Sequence, residues 1–143
     1  MRKTLLAALL LSSPAWAVGT STVDVSQELA AAKAMIAADK FARAIPILKG
    51  VVDAEPDNAD AFNLLGFTHR KLDRFEAAGE YYSIALALDP DHLGALEYQG
   101  QLFVELGDKP AAQANLEAIF AICGEDCEAY QSLSEALEGV SGY

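Results

Sequence analysis

The chain has 143 residues, 52% of them hydrophobic, enough for one domain with a core, and 10 basic against 21 acidic residues give a formal charge of -11. Nucleic acid requires a basic face and an anionic bilayer attracts basic segments, so this balance argues against both as partners. Its remaining consequence is solubility.

Residues 1–17 have the pattern of a secretory signal. Arg2 and Lys3 make a basic start, Leu5 to Leu11 an apolar run, and Ala15-Trp16-Ala17 the small residues around a cut, expected after Ala17. A run of seven apolar residues cannot cross a bilayer that needs about 20, so no membrane anchoring is expected once the signal is removed. The nearest cysteine is Cys123, too far away to carry a lipid at the cut. The short signal suits a bacterial exported protein, with a periplasmic location expected. The mature chain would keep 8 basic and 21 acidic residues, a charge of -13.

Residues 18–24, VGTSTVD, read as a flexible lead-in. From Val25 a 34-residue period sets in, giving units 25–58, 59–92 and 93–126. The middle unit is the best formed, with Phe62, Leu65, Gly66, Ala78, Tyr82, Ala85 and Pro90 at relative positions 4, 7, 8, 20, 24, 27 and 32. Position 8 is Ala32, Gly66 and Gly100; position 20 is Ala44, Ala78 and Ala112; position 24 is Leu48, Tyr82 and Leu116; position 27 is Val51, Ala85 and Ile119. Glu55-Pro56 and Asp89-Pro90 end a helix one period apart, because a residue before proline avoids the helical region. In the third unit Lys109-Pro110 stands where the others have Phe41 and Phe75, with Asp108 placed as an N-cap. Pro46 lies one turn inside its helix. Residues 127–138 place Tyr130, Leu133, Ser134 and Leu137 on one stripe and Glu128, Gln131, Glu135 and Glu138 on the wet side. Gly139 is expected to stop this last helix, leaving 139–143 as a tail.

This pattern resembles the tetratricopeptide repeat, over residues 25–138. The resemblance implies an all-α fold, a right-handed α-α superhelix of three helical hairpins plus a C-terminal capping helix covering an otherwise wet apolar face. Position 8 is then where the two helices of one repeat come closest. Glu28 at position 4 of the first unit suits an outer, solvent-facing repeat.

The family lines a concave groove with positions 2, 5, 9, 12 and 13 of each first helix. Carried onto this sequence, the candidate peptide-binding residues are Lys33, Asn63, Phe67, Arg70, Lys71, Glu97 and Gln101. Phe67 and Leu29 offer apolar contact and Asn63 can bond a peptide backbone. Lys33, Arg70 and Lys71 form a basic patch, followed by an acidic end at Glu97, Glu105, Glu128 and Glu135. Arg70 and Lys71 read equally as ligand contacts or as a solvated charged face. Relatives that clamp the carboxylate tails of heat-shock chaperones use Lys, Asn and Arg where this chain has Leu29, Lys33, Leu64, Gly94 and Tyr98, so that clamp is absent.

Cys123 and Cys127, in an exported chain, most simply form one disulfide across the turn CGEDC. Thiol-disulfide exchange is a competing use, disfavoured by three intervening residues and flanking acids. Cu(I) binding by the two thiolates is another, although it would want a histidine. His69 at position 11 reads as a core or groove-edge residue, and His92 as an exposed turn residue. Phosphate loops, serine elbows and paired-histidine metal motifs are missing from the sequence. The expectation is a non-catalytic scaffold with no cofactor, a protein or peptide partner, and a monomeric or weakly self-associating state.

Overall fold

A computed structural model describes residues 24–139. The expected signal 1–17, the lead-in before Asp24 and the tail after Gly139 lie outside the described residues. Seven α-helices follow one another, α1 (Val25–Ala37), α2 (Phe41–Ala54), α3 (Ala59–Lys71), α4 (Phe75–Leu88), α5 (Leu93–Glu105), α6 (Lys109–Cys123) and α7 (Glu128–Gly139). The described residues contain no strand.

Helix ends recur with the repeat because their chemistry does. Asp24, Asn58 and His92, one period apart, each accept a hydrogen bond from the backbone N–H three residues on, so each odd-numbered helix among α1, α3 and α5 starts on a side-chain cap. The turns inside the hairpins are also built alike. Asp39, Asp73 and Gly107 have φ of 55°, 56° and 78°, and the N–H of the following residue reaches back to Met35, His69 and Phe103 respectively. This left-handed closure satisfies the last carbonyls of the helix and reverses the chain in few residues. Asp108 bonds the Ala111 N–H at 3.1 Å and carries Pro110 in the first turn of α6. The capping helix starts one residue later than expected, at Glu128, and takes in Gly139 rather than stopping before it.

The hairpins α1/α2, α3/α4 and α5/α6 stack in order, and α7 packs on both α5 and α6. Odd-numbered helices also touch each other along the stack, α3 on α5 and α5 on α7, making a continuous inner layer. The core is carried by the periodic positions: Ala32, Ala44, Leu48, Val51, Ala78, Tyr82, Ala85, Ala112 and Ile119 are fully buried. Fully burying each large apolar side chain is worth about 1.5–3 kcal/mol, so repetition of these positions supplies the stability of the stack.

Close approach at position 8 takes two forms. A Cβ on Gly66 would sit 2.5 Å from two Tyr82 ring carbons, so this glycine lets α4 come down onto α3. Gly100 was expected to face the second helix of its own repeat. Instead, a Cβ there would meet the Leu133 side chain of α7 at 2.5 Å, because the capping helix packs directly on α5. Past α7 the covering is incomplete: an open cavity of about 600 Å³ lies between α6 and α7, lined by Leu116, Tyr130 and Leu137 among others.

Candidate functional site: the inner face of the odd-numbered helices

The first helix of each hairpin directs positions 5, 9 and 12 to one side, since residues three and four apart share a helical face. On that side Phe67 of α3 lies between Phe41 and Tyr98, with ring centroids 6.3 Å and 4.9 Å away. Arg70, one turn further along α3, places its guanidinium 5.7 Å from the Phe67 centroid and 5.9 Å from that of Tyr98. Lys71 points the other way, with Nζ 5.9 Å from the Phe41 centroid. All three contacts are in the range where a cation gains from an aromatic face.

Arg70 is only 8% exposed, so the basic patch expected with Lys33 and Lys71 is broken up. Its charge is met inside the fold: Nη1 donates to Glu105 Oε1, and Nη2 donates to Gln101 Oε1 at 2.8 Å. Gln101 Nε2 in turn donates to Glu97 Oε1 at 3.1 Å and to Ser132 Oγ at 3.0 Å, and the Ser132 hydroxyl donates to the same Glu97 oxygen at 2.6 Å. A chain of polar contacts therefore ties α3 to α5 and α5 to α7 across the inner layer. A buried guanidinium has to be paired, and the aromatic rings and Glu105 are what the stack offers it. Arg70 of the expected basic patch and Glu97 and Glu105 of the expected acidic end thus belong to one network. Lys33 and Lys71 remain exposed.

Burial raises the Glu97 carboxyl above its ordinary value, the Ser132 bond opposes this, and neighbouring Glu128 adds to the rise. Burial likewise raises the Tyr98 and Tyr82 phenols; for Tyr82 the effect is large and the nearby Arg70 offsets only part of it. The Tyr82 hydroxyl is buried with no hydrogen-bonding partner, as is Nε of Arg70.

Asn63 is 6% exposed, and its Oδ1 also lacks a partner. Its amide nitrogen lies 3.0 Å from the point a Cβ on Gly94 would occupy, so the absence of a side chain at Gly94 leaves the amide beside open backbone. Beyond Gly94 a cavity of about 300 Å³ opens between α5 and α7, walled by Glu97, Tyr98, Cys127 and Glu128.

The histidines do structural work. His92 is not an idle turn residue: Nδ1 accepts from the Ala95 N–H at 3.1 Å, which places the proton on Nε2, and Nε2 donates to Asp60 Oδ1 at 2.9 Å. The ring thereby caps α5 and binds it to the start of α3. His69 is buried against Tyr81, centroids 5.2 Å apart, with both ring nitrogens unpartnered. Burial first, then Arg74 and Lys49, lower its pKa and keep it neutral.

Cys123 and Cys127 are disulfide-bonded, with Cα atoms 5.9 Å apart, and Gly124 between them has φ 78°. The bridge joins the end of α6 to the start of α7. Among the described residues no group of three or more His, Cys, Asp or Glu could hold a metal ion. Neither the thiol-exchange nor the Cu(I) use gains support from this arrangement.

Tyr98 and Ser132 are inner-face residues that neither the candidate set nor the expected acidic end includes. Both stand at position 6 of their units, next to the position-5 residues Glu97 and Gln131, and that adjacency was the available signal.

A comparison with curated proteins gives no match. The family model described as tetratricopeptide repeat matches residues 29–92. Among solved structures, MamA is similar at 26% identity and a TM-score of 0.70, covering 82% of this chain and 69% of that one. The Yersinia enterocolitica type III secretion chaperone SycD, in complex with a peptide of the translocator YopD, aligns at 15% identity and a TM-score of 0.73, over 82% of this chain and 92% of that one. The first tetratricopeptide repeat domain of Spaghetti (RPAP3), bound to the HSP90 peptide SRMEEVD, aligns at 18% and 0.73, over 82% and 96%. Residues 29–92 thus resemble the tetratricopeptide repeat in sequence, and the described helices share the fold of these solved structures.

Proposed function

We propose that the protein is an exported, periplasmic adaptor that holds an extended or helical segment of a partner protein against the inner face of α1, α3, α5 and α7, with no catalysis of its own. The observation that carries this reading is the preorganised inner face. The network from Arg70 to Ser132 fixes three helices relative to one another, so a segment laid across them meets a rigid surface with little ordering cost. Half-buried Phe67 and Tyr98 offer apolar area to such a segment. Two neighbours of the same fold hold peptides, which supports the mode of binding. Export rests on the signal pattern of residues 1–17. The mass of the N-terminus recovered from the periplasm tests it, with Val18 the expected first residue and an intact Met1 the contrary one.

The groove is tested with photo-crosslinking side chains introduced singly at Lys71 and Glu128 on the inner face, and at Lys49 and Glu117 on the exposed sides of α2 and α6. In a periplasmic extract of the source cell, a discrete adduct should form from the first two positions. Adducts from Lys49 or Glu117 alone would move the site to the outer layer.

A further inference from the structure

Two neighbouring cavities at the α6/α7 end of the stack make one groove. The larger, of about 600 Å³, is lined by Leu116, Tyr130, Ser134 and Leu137 among others. The smaller, of about 230 Å³, shares Leu116 and Tyr130 with it and adds Phe120 and Glu125. Phe120 is 51% exposed and its ring centroid lies 5.9 Å from that of Tyr130, so the apolar floor continues from one cavity into the other. A contiguous exposed apolar surface with a polar rim is the pattern of a docking site.

The repeat itself says what shape fits this groove. In the middle hairpin, positions 4, 8 and 11 of α3 are Phe62, Gly66 and His69, and α4 covers all three. The Phe62 and His69 rings lie 6.4 Å and 5.2 Å from that of Tyr81, centroid to centroid, and a Cβ on Gly66 would meet Tyr82. In α7 the same positions are Tyr130, Ser134 and Leu137, and these three line the larger cavity. Since α7 is the last helix among the described residues, the groove has the form that the second helix of a hairpin fills elsewhere in this fold. A helix that presents a small residue and, four residues on, a large one, as Ala78 and Tyr82 do in α4, matches it.

Charge narrows the occupant further. Glu117, Glu125 and Glu138 are exposed along the two cavities, against one lining base, Lys109. Two copies of this chain meeting groove to groove would bring these carboxylates together, which disfavours a second copy as the occupant. Lysine or arginine beside the apolar stripe of a foreign helix would meet them with the opposite sign.

We propose that the α6/α7 groove docks an amphipathic helix of a partner protein, with its apolar stripe on Leu116, Phe120, Tyr130 and Leu137 and its lysine or arginine flanks on the acidic rim. This surface is separate from the inner face, so either can fail without the other.

Three blocked helical peptides test it by amide-resolved NMR titration of the full chain. Ac-KAAKAAKYLKALAKAK-NH2 sets Ala, Tyr, Leu and Leu at the spacing of Ala78, Tyr81, Tyr82 and Ala85. One counterpart has glutamate for every lysine, and the other has serine for the tyrosine and both leucines. The first peptide should shift the amides of Leu116, Phe120, Tyr130 and Ser134, and the counterparts should not. Glu117→Lys with Glu138→Lys, both at exposed positions, should weaken the lysine peptide at least about fivefold, as expected for loss of two exposed ion pairs, and should let the glutamate peptide bind. Asp53→Lys with Asp57→Lys makes the same change of net charge beside the first hairpin and should leave the affinity unchanged. Ser134→Phe adds bulk on the cavity side and should abolish binding, with an unaltered spectrum elsewhere showing that the variant is folded. Equal shifts from the glutamate or the serine peptide would overturn the proposed charge or apolar match. Shifts confined to Phe67, Glu97 and Tyr98, or none with the lysine peptide, would overturn the docking site. Groove amides that move with protein concentration alone would put a second copy there and overturn the partner helix.

Discussion

Replacing Gly66 by alanine isolates what holds the middle hairpin together. In an exposed helix the change would stabilise, by about 0.5–1 kcal/mol, because glycine loses the most backbone freedom on folding. At Gly66 the new methyl would lie 2.5 Å from Cδ1 and Cε1 and 3.0 Å from Cγ of Tyr82, whose side chain is fully buried. Ordinary contact requires the ring to retreat by about 1 Å, in an interior with no room for it. Overpacking of this kind costs about 1–3 kcal/mol, which outweighs the propensity gain and leaves a net loss of about 1–2 kcal/mol. For a domain of this size that is a fall in Tm of roughly 3–10 °C. Gly50→Ala is the internal control, since a Cβ there meets nothing within 4 Å and the same substitution should raise Tm. Thermal and urea unfolding followed by helix circular dichroism give both numbers. Equal or higher stability for Gly66→Ala would refute the close-approach account of the α3/α4 crossing.

Removing the carboxylate of the inner-face ion pair with Glu105→Ala should cost about 2 kcal/mol in urea unfolding, because it leaves Arg70 buried with only Gln101 to receive it. Arg70→Met should cost less, because Glu105 is 41% exposed and can turn to water. The burial of His69 makes stability depend on pH: with its folded pKa below the ordinary 6.5, the unfolded chain takes up the proton first, and stability present above about pH 6.5 is lost as pH falls. The difference in urea midpoint between pH 7.5 and 5.5 should therefore be smaller for His69→Phe than for the wild type. Reducing the disulfide should cost about 2 kcal/mol on the loop-entropy model, and hydrogen exchange should rise in α7 while α3 and α4 keep their protection. Uniform loss of protection along the chain would contradict the local role of the bridge.

The hairpins were legible because they depend on side-chain size at a fixed spacing: small at Ala44 and Ala78, large at Leu48 and Tyr82, and all fully buried in the fold. The turn chemistry was legible in part. Asp108 was readable as a cap, whereas His92 passed for an exposed turn residue although Asp24 and Asn58, 34 residues apart, mark the same position as a cap. A histidine is less common there than aspartate or asparagine, which hid the period. The inner-face network was not legible. Arg70 and Glu105 are 35 residues apart, and whether they meet depends on the stagger of α3 against α5, which spacing alone does not set. Reading charges one helix at a time therefore assigned Arg70 to a basic patch and Glu97 and Glu105 to an acidic end, although the three share one network. Gly100 was misdirected for a related reason, as its neighbour comes from the capping helix rather than from its own hairpin.

The central claim is that a partner segment lies along the inner layer of odd-numbered helices. Hydrogen exchange measured on the chain alone and with its crosslink-identified partner bound tests this most directly, residue by residue. The account predicts added protection in α3 and α5, centred on Asn63, Phe67, Glu97 and Gln101, with α2, α4 and α6 unchanged. Added protection confined to α4 and α6, with the inner helices unaffected, would contradict it.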